Sequence, residues 1–399
     1  MRVLHVSPYF APAFVYGGPP RSILGLCRGL QAQGIDVQVI TTTAAGADRE
    51  LPPATREPVV YEGVSARYFP LAEPRRFWNA PGIRRMLARE IASYDVVHIH
   101  GLWHLPGWDA ARFARRAGVP YVISPRGMLE PEALAIGRGR KRIALGLIEG
   151  RNLRSAACLH ATSSREVETL EAANFGPRVV YAPNGIDVDP LRSTDAAPTL
   201  RRFAIDGSSP FVLFLGRVHA IKRLDLIADA MARLRTGGVR VVVAGPDDKG
   251  HRSAIAPRFA AAGVSVTWTG PVEGREKADL LSAASALVMC SDSESFGLSA
   301  AEAMAVGTPV VVTRTCPWSE AQEEGAGRWV EQNAASIAAA LDEILGDRAL
   351  ASRMGECGRA LIARRYTWPA AATAVAEAYR SIAASRVSRA SRQTAAASS

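Results

Sequence analysis

The chain has 399 residues, of which 48% are hydrophobic and 22% charged, so it is long enough for two or three packed domains and too apolar to be disordered. Its formal net charge is +10, and residues 1–190 hold most of the excess, with 23 basic and 17 acidic residues. Because no run of 18 apolar residues occurs and Met1 leads directly into a strand-like segment, we expect a cytoplasmic protein without a membrane span or a classical signal peptide.

Short runs rich in Val and Ile alternate with longer helical runs along the chain. In the first half the apolar runs are 3–7, 37–42, 96–100, 121–124, 159–162 and 179–182, and in the second half they are 211–215, 239–244, 264–269, 286–290 and 309–313. Nearly uninterrupted apolar strands separated by helices are typical of parallel sheets that are covered on both faces. The sequence therefore predicts an α/β fold of two doubly wound, Rossmann-like domains.

The domain boundary is predicted near residue 190. The first domain then spans 1–190 and the second 191–365, with the polar stretch 190–210 as the linker. Residues 384–399 contain only Ala, Ser, Arg, Val, Gln and Thr, so we expect a disordered tail. Ligands bind beyond the carboxyl ends of the strands in such sheets, so two sheets predict a central cleft that both domains face.

Two stretches of the first domain concentrate positive charge. The first is 75–89. It overlaps the segment 82–93, in which a helix would place Ile83, Met86 and Leu87 on one side and arginines on the other. We interpret it either as an ordinary packing helix with a solvated face or as a docking surface for an anionic membrane. The second stretch, 138–154, is interrupted by glycines and is predicted to form a loop or lobe near a binding face. Nucleic acid is disfavoured as a partner, because no recognition motif accompanies the charge.

The cysteine and histidine patterns do not predict a metal site. The five cysteines are scattered, odd in number and without C-x-x-C spacing, so we expect free buried thiols. His98, His100 and His104 follow one another at the end of a predicted strand, without nearby carboxylates that would complete a metal site. His98 and His104 are predicted to be structural. His100 is a candidate for an acceptor-side or catalytic role, with a hydrogen-bonded structural role as the alternative.

Acidic residues follow the predicted strand 286–290. Glu294 lies in the loop after it, and Glu302 lies about two turns into the next helix, so both carboxylates can face one ligand. The helix start between them, at Phe296, Gly297 and Leu298, offers free amide groups to an anion such as a phosphate, and Gly297 permits close backbone approach. The alternative is an ordinary exposed helix start with acidic residues in favourable places.

Basic residues follow the predicted strand 211–215. The strand ends in Gly216 and Arg217, and Lys222 lies in the loop that enters the next helix. The two cations could hold a diphosphate without a metal ion, Arg217 through bidentate hydrogen bonds and Lys222 as a point charge.

A third element, Gly17-Gly18, follows the first strand and would let backbone amides approach phosphate oxygens. Neither G-x-G-x-x-G nor G-x-x-x-x-G-K-[ST] follows any predicted strand. Enzymes that bind NAD and P-loop NTPases are therefore disfavoured.

Four motifs together resemble those of the retaining glycosyltransferases of family 4 (glycosyl transferases group 1), which have the GT-B fold. They are Glu294-x7-Glu302, Gly216-Arg217-x4-Lys222, Asn184-Gly-Ile-Asp187 and Gly17-Gly18. The resemblance covers residues 1 to about 382. It implies an N-terminal acceptor domain, a C-terminal nucleotide-sugar domain and a last helix, 366–383, that crosses back onto the first domain.

The resemblance also implies roles for individual residues. Arg217 and Lys222 would hold the donor diphosphate, with Glu294 on the donor-sugar hydroxyls. Glu302 would hold the ribose, and Gly17 and Gly18 would lie beside the sugar phosphate.

Two positions depart from the family pattern. Many relatives carry a histidine after the strand that corresponds to 121–124, whereas this chain has Arg126 in Ser124-Pro-Arg126. Arg126 is therefore a candidate for stabilising charge, for binding an acceptor phosphate or for a structural role. Arg223 stands where relatives often have glycine.

The activity implied by the resemblance is retaining, metal-independent transfer of a hexose-type sugar from a nucleotide-diphosphate sugar to a hydroxyl of a glycan or lipid-linked oligosaccharide in polysaccharide biosynthesis. We expect no cofactor apart from the donor substrate, whose base can be that of UDP, GDP or ADP. A basic acceptor domain would suit a lipid-linked acceptor at the inner face of a membrane. The alternatives are a nucleotide-sugar epimerase, a phosphorylase and a catalytically silent subunit that binds sugar nucleotides.

Overall fold

The computed structural model describes residues 1–46, 49–193, 195–248 and 250–397, with residues 387–397 described through their backbone. Contacts between residues divide the chain into two compact units. Unit 1 comprises Met1–Gly185 together with the chain from Trp368 onward, and unit 2 comprises Ile186–Thr367. Each unit contains its own sheet.

Strands and helices alternate along most of the described chain. The strands are β1 (Arg2–Val6), β2 (Asp36–Thr42), β3 (Ala54–Tyr61), β4 (Val64–Phe69), β5 (Val96–His100), β6 (Tyr121–Ser124), β7 (Cys158–Ala161), β8 (Val179–Tyr181), β9 (Phe211–Leu215), β10 (Arg240–Ala244), β11 (Val266–Gly270), β12 (Ala286–Met289), β13 (Val310–Thr313) and β14 (Gly327–Val330). The α-helices are α1 (Gly18–Gln31), α2 (Pro81–Glu90), α3 (Leu105–Ala117), α4 (Pro131–Ala135), α5 (Arg138–Ala144), α6 (Gly150–Arg154), α7 (Ser164–Ala173), α8 (Ala197–Arg202), α9 (Leu224–Met231), α10 (His251–Ala261), α11 (Gly274–Ala283), α12 (Leu298–Val306), α13 (Glu320–Glu323), α14 (Ala334–Gly346), α15 (Arg348–Arg365) and α16 (Trp368–Ala397).

The sheet of unit 1 has the strand order β3-β4-β2-β1-β5-β6-β7-β8. Its neighbouring strands are parallel except for the antiparallel pair β3 and β4. Strand β3 was not predicted, because almost every side chain of this edge strand is exposed and no apolar run marks it. The strand order reverses at β1 and β5, and doubly wound sheets bind ligands at the carboxyl ends of such strands.

Helices cover both faces of this sheet. On one face α1 and α16 pack against alternate residues of the strands, and on the other face α2, α3, α6 and α7 do so. Helix α2 buries Ile83, Met86 and Leu87 and exposes its arginines, which confirms the predicted amphipathic pattern. Helix α16 begins in contact with Gly185, the residue at which the first segment of unit 1 ends. A Cβ atom at Gly185 would lie 2.3 Å from the backbone nitrogen of Trp368, so this close approach requires glycine.

Residues 138–154 differ from the predicted loop or lobe, because they are helical. Helix α5, a π-helical segment Leu145–Glu149 and α6 follow one another without interruption. The buried carboxylate of Glu149 anchors this segment, since its Oε1 accepts hydrogen bonds of 2.6 Å from the backbone nitrogen of Trp103 and from Nε1 of Trp108. The glycines did not prevent a helix here because this tertiary contact compensates for their low propensity.

Unit 2 has a six-stranded parallel sheet with the order β11-β10-β9-β12-β13-β14. Its strand order reverses at β9 and β12, which therefore place the loops after them side by side. Residues 190–210, predicted to be a linker, contain α8, and Leu191, Leu200 and Ile205 of this stretch lie in the core of unit 2. The two sheets confirm the predicted α/β class of two doubly wound, Rossmann-like domains.

Helix α16 continues to Ala397, so residues 384–397 are helical where a disordered tail was predicted; residues 398–399 lie outside the described part. The stretch contains no Gly or Pro that would end the helix, and it is rich in alanine, the strongest helix former. No helix within the described ranges is both long and apolar enough to span a bilayer. The cysteines are free thiols as predicted, with Cys357 partly buried and the other four buried.

Several histidines are buried inside unit 1: His5, His98, His100, His104 and His160. Burial, which disfavours the charged ring, and to a smaller extent the positive charge of Arg126 lower the pKa of His5 to about 3. Burial likewise lowers the pKa of His104 and of His160 to about 4. The pKa values of His98 and His100 are also held well below the usual range, chiefly by burial. These rings are therefore neutral in the folded protein at neutral pH.

The buried histidines predict a loss of stability in mild acid. Unfolded histidines titrate near pH 6.5, so below this pH the unfolded state binds protons that the folded state excludes, and each ring removes up to about 1.4 kcal/mol of unfolding free energy per pH unit. His104→Asn keeps a hydrogen-bond acceptor at the start of α3. Between pH 6.5 and 4.5 it should reduce the pH dependence of the unfolding free energy by the contribution of one histidine ring. Urea titrations at several pH values measure it. His251→Asn, at a partly exposed position of unit 2, is the control, and equal slopes in both variants would contradict the prediction.

Candidate active site

The predicted basic and acidic loops of unit 2 meet at the reversal point of its sheet. Lys222 lies in a 3-10 turn, Ala220–Lys222, after β9, and Glu294 lies in the loop after β12. The backbone nitrogen of Asp292 donates a 2.8 Å hydrogen bond to the carbonyl of Ile221, which holds the two loops together. Two residues 72 positions apart are therefore brought into direct reach of one another.

Lys222 and Glu294 form an ion pair in this position. The Lys222 ammonium contacts Oε1 of Glu294, and the same oxygen accepts a 2.8 Å hydrogen bond from the Ser291 hydroxyl. Only 18% of the Lys222 side chain and 15% of the Glu294 side chain are exposed, so the pair is substantially shielded from water. An ammonium has three N–H donors and a carboxylate has two oxygens, so both groups keep capacity for a ligand.

The other two predicted charged residues of unit 2 form separate pairs. Arg217, 40% exposed, donates a 2.9 Å hydrogen bond to Oδ2 of Asp248 in the loop after β10. Glu302 accepts a 2.7 Å hydrogen bond from Lys277 of α11, and both side chains are mostly buried. Sequence reasoning missed Asp248, Lys277 and Ser291, because no motif marks them and only the fold places them beside the predicted residues.

The start of α12 has a geometry that requires glycine. Gly297 has a φ of +82°, and a Cβ atom there would lie 2.8 Å from Sδ of Met289 and 2.9 Å from Nε1 of Trp318. The amide role of Phe296 stays a prediction, and its side chain is not part of the ligand surface. The ring is 3% exposed and packs against Trp318 and Tyr366, so only its backbone is available. Leu298, the first residue of α12, is partly buried against the same core.

Arg223 occupies a backbone conformation that favours glycine. Its φ is +53°, in the left-handed region, and it comes directly after Lys222. Its guanidinium pairs with Asp225 and with Asp292, at 2.9 Å and 3.0 Å. The positive φ gives a physical reason for the glycine that the family resemblance implied at this position.

In unit 1, Gly17 and Gly18 lie at the carboxyl edge of the sheet, where α1 begins. Gly17 has a φ of +84° and Gly18 is the first residue of the helix. Pro19 and Pro20 follow, and proline has no backbone N–H. The first turn of α1 therefore offers fewer amide donors to an anion than the sequence analysis assumed.

Arg126 is a buried cation close to this helix start. It is 8% exposed, and it donates a 2.8 Å hydrogen bond to the hydroxyl of Ser22 in α1 and a 3.1 Å hydrogen bond to Nδ1 of His100. Its Nε is buried and has no partner among the described residues. Burial lowers the pKa of Arg126 to about 10, and the charge of Glu166 opposes this shift, so the guanidinium stays charged at neutral pH.

His100 does not have a ring nitrogen left for a substrate. Its Nδ1 bonds Arg126 and its Nε2 lies 2.8 Å from Nδ1 of His5. Of the two roles left open for His100, these contacts favour the hydrogen-bonded structural role, in which the ring contacts Arg126. His98 bonds Tyr379, and His104 accepts a hydrogen bond from Gly107 at the start of α3, so both are structural as predicted.

The nitrogens of His5, His98 and His100 lie within 4.8 Å of one another, which is a spacing that could hold a metal ion. Two observations disfavour one. The ring nitrogens are engaged in hydrogen bonds with one another and with Arg126 and Tyr379, and the Arg126 guanidinium lies 3.1 Å from His100, where it would repel a cation. His5 was not predicted to lie beside them, because no sequence pattern shows that β1 and β5 are neighbours in the sheet.

Family models match both units. Residues 17–185 match the model of the glycosyl transferase 4-like domain, and residues 198–361 match that of glycosyl transferases group 1. The chain is 30% identical to a D-inositol 3-phosphate glycosyltransferase of Frankia alni, over 94% of this chain and 98% of that protein. It is 32% identical to a protein of the same name from Streptomyces avermitilis, over 95% of this chain and 86% of that protein.

Solved structures share the fold. The sucrose-phosphate synthase of Thermosynechococcus elongatus superimposes with a TM-score of 0.78 at 21% identity, over 96% of this chain and 99% of that one. HepE of Anabaena, in complex with UDP and glucose, superimposes with a TM-score of 0.75 at 17% identity, over 96% of this chain and all of that one. The architecture, the two domain matches and the identities over nearly the whole chain agree, and the protein belongs to the group 1 glycosyltransferases, family 4, of GT-B fold.

Proposed function

We propose that this protein transfers a hexose-type sugar from a nucleotide-diphosphate sugar to a hydroxyl of a phosphorylated or lipid-linked glycan acceptor, with retention of configuration and without a metal ion. The observation that carries the proposal is the shielded ion pair of Lys222 and Glu294 at the adjacent carboxyl ends of β9 and β12. In a doubly wound sheet this is the position of the ligand.

The donor reaction breaks the bond between the anomeric carbon and a phosphate oxygen. Negative charge then develops on the departing nucleotide diphosphate while the sugar becomes oxocarbenium-like. Lys222 and Arg217 stabilise that charge, and they are held in place by Glu294 and Asp248 before the donor binds. Cations that are already oriented need little reorganisation during the reaction, which makes their stabilisation of the transition state effective.

The remaining charged groups of unit 2 hold the rest of the donor. Glu294 accepts hydrogen bonds from the sugar hydroxyls, and Glu302, oriented by Lys277, accepts them from the ribose. The backbone amides of Gly297 and Leu298, at the start of α12, donate to a phosphate in this proposal, whereas the amide of Gly216 already donates a 2.9 Å hydrogen bond to the carbonyl of Ala244. UDP-glucose is the first donor to test, because HepE, which shares the fold, was solved with UDP and glucose.

Unit 1 holds the acceptor in this proposal. Arg126 supplies a buried positive charge beside the start of α1, where Gly17 and Gly18 leave the backbone accessible. Several curated relatives are named for inositol 3-phosphate, and a phosphate on the acceptor gives this cation a partner. The acceptor panel therefore includes inositol phosphates beside lipid-linked oligosaccharides. A reaction with the donor alone tests for an epimerase, which would change the sugar nucleotide without an acceptor.

Removing either member of the central ion pair should abolish most of the activity. Lys222→Met and Glu294→Gln are each expected to lower kcat/KM by about a hundredfold or more, since each removes charge stabilisation or its orientation. The double variant should lose less than the product of the two single losses, because part of each loss comes from breaking the same ion pair. Steady-state kinetics measure these losses.

The control is Glu343→Gln, which breaks the ion pair with Arg328 in the same unit outside the candidate site. It should leave turnover unchanged. Turnover within threefold of the parent in Lys222→Met, with an unchanged melting temperature, would rule out the assignment.

A product assay tests retention and metal independence together. Because side-chain cations rather than a metal stabilise the leaving group, the initial rate should be the same with excess EDTA as with Mg²⁺. The product made from an α-linked donor should be an α-glycoside by proton NMR. A β-glycoside, or a rate that falls with EDTA and returns with Mg²⁺, would refute that part of the proposal.

We also propose that unit 1 contacts an anionic membrane, and an arginine-rich surface supports this part of the proposal. A pocket of about 660 Å³ lies between α2, α3 and α6, and the arginines around it are Arg84, Arg112, Arg115, Arg116 and Arg151. Asp109 is the acidic residue that lines it. Leu147, also at the pocket, is 74% exposed, and Ile143 one turn earlier is 62% exposed. Exposed apolar groups beside clustered arginines suit a phospholipid surface.

Reversing two charges of this surface should release the protein from anionic vesicles. Each basic group near such a surface contributes about 1 kcal/mol, so Arg112→Glu/Arg116→Glu should weaken binding to phosphatidylglycerol-containing vesicles by tenfold or more. Arg201→Glu/Arg353→Glu, at exposed positions of unit 2, changes the net charge equally and is the control. Sedimentation with vesicles measures the binding. Equal losses in both variants, or binding of the parent to neutral phosphatidylcholine alone, would contradict a specific surface.

A further inference from the structure

Buried polar groups form one continuous line through the interior of unit 1. In order they are Arg126 after β6, His100 of β5, His5 of β1, Tyr379 of α16, His98 of β5, His160 of β7 and the carbonyl of Ala182 after β8. The successive separations are 3.1, 2.8, 3.5, 2.6, 3.4 and 2.8 Å. The four rings and the tyrosine are each at most 3% exposed, so they bond one another in place of water.

The two ends of this line have opposite and fixed polarity. At one end the guanidinium of Arg126 can only donate a hydrogen bond, so Nδ1 of His100 accepts. At the other end the carbonyl of Ala182 can only accept, so Nε2 of His160 carries a proton.

The groups between the ends transmit this polarity. A neutral imidazole has one N–H and one lone pair, and a tyrosine hydroxyl donates one hydrogen bond while it accepts another. Since Nδ1 of His100 accepts, its Nε2 donates to His5, whose Nε2 then donates to the Tyr379 hydroxyl. That hydroxyl donates to Nδ1 of His98, whose Nε2 donates to His160.

When the hydrogen bonds are followed from Arg126 to Ala182, every group donates to the next one. The last donor is Nε2 of His160, and the carbonyl of Ala182 accepts from it as required. Reversing any single ring would set two N–H groups or two lone pairs face to face where water is excluded.

We propose that this line is a directional hydrogen-bond chain, in which His5, His98, His100 and His160 all carry their proton on Nε2, and that it positions Arg126 for an anionic acceptor. The second part rests on the proposed function, because it assumes that Arg126 meets the acceptor. His5, His98, His100, His160 and Tyr379 are positioning residues here, since none of them touches the reacting atoms.

The position of Arg126 shows why such a chain is useful. Its backbone is in the left-handed region, with a φ of +55°, which side chains rarely adopt without support. The guanidinium has five N–H donors, and Ser22 and His100 take two of them. Ser22 in turn donates to the carbonyl of Pro19, so both partners of Arg126 are themselves oriented as acceptors. The guanidinium is held from two sides and keeps donors for an anion.

The tautomers can be measured directly in the full-length protein. With ¹⁵N-labelled histidine, long-range ¹H–¹⁵N correlation spectra at pH 7.5 should show four buried rings protonated on Nε2, assigned by single substitutions. A ring of the chain that carries its proton on Nδ1, or on both nitrogens, would overturn the chain. This readout does not depend on activity, so it is distinguishable from failure of the proposed function.

Tyr379→Phe tests the positioning role, with Tyr121→Phe as its matched control. Both variants remove one buried, hydrogen-bonded hydroxyl from unit 1, but only Tyr379 lies in the chain; Tyr121 donates to the carbonyl of Asn152. Tyr379→Phe should change the nitrogen signals of His5 and His98 and raise the acceptor KM about tenfold, with the donor KM unchanged. Tyr121→Phe should leave the four ring signals and both KM values as in the parent.

If Tyr379→Phe has the same acceptor KM as Tyr121→Phe while its ring signals change, the chain exists without positioning Arg126, and that part of the proposal is overturned. A parent protein that transfers no sugar to any acceptor of the panel would count against the proposed function, and the tautomer pattern would still decide the chain.

Discussion

The ion pair between Lys222 and Glu294 depends on a single feature of the fold, the adjacency of β9 and β12 where the strand order of unit 2 reverses. The strands themselves are apolar and carry no reactive groups, whereas the loops after them carry the charged side chains. An ammonium and a carboxylate that are both mostly removed from water would each be costly alone, whereas together they satisfy one another until a ligand arrives. In the proposed function, the pair is therefore a stable arrangement whose remaining N–H donors and carboxylate oxygen are left for a diphosphate and a sugar hydroxyl.

The buried cation of unit 1, Arg126, is stabilised in a different way from Lys222. Arg126 is not paired directly with a carboxylate; its described partners are a serine hydroxyl and a neutral histidine. The compensating charge of Glu166 acts without a direct hydrogen bond, since the oxygens of Glu166 accept from the backbone of Gly127 and Thr162. A cation surrounded by neutral acceptors keeps more of its attraction for an external anion than one already neutralised by an ion pair. The two units thus differ in how they hold charge, with a direct ion pair in unit 2 and, in unit 1, a cation whose nearest partners are neutral.

The sequence predicted those parts of the fold that repeat a strong local pattern. Apolar runs located most of the parallel strands, and helical periodicity located α2, because buried strands and amphipathic helices leave a clear sequence signal. The edge strand β3 and the helical segment 138–154 were missed, because exposure removes the signal in the first case and a distant contact of Glu149 creates the structure in the second. Long-range contacts cannot be read from local periodicity.

The same distinction applies to the candidate site. Lys222 and Glu294 were predicted from motifs, but their mutual contact comes from sheet order. His5 and His160 carried no signal at all, since a lone histidine in an apolar strand is usually an unremarkable core residue. Phe296 was assigned to the ligand through the amide groups of the helix start, and the structure adds that its ring packs in the core against Trp318 and Tyr366. A motif predicts which segment lies near the ligand, but it does not predict which of its side chains are buried in the core.

Two arginines in left-handed backbone conformations connect these observations. A non-glycine residue with positive φ costs about 1 kcal/mol or more, and such residues persist where surrounding contacts hold them. Arg223 is held by Asp225 and Asp292, and Arg126 by Ser22 and His100. Each follows a strand at the carboxyl edge of its sheet, the edge at which doubly wound folds bind ligands. In both units a strained arginine therefore lies at this edge, and the hydrogen bonds that offset the strain are the ones that orient its guanidinium.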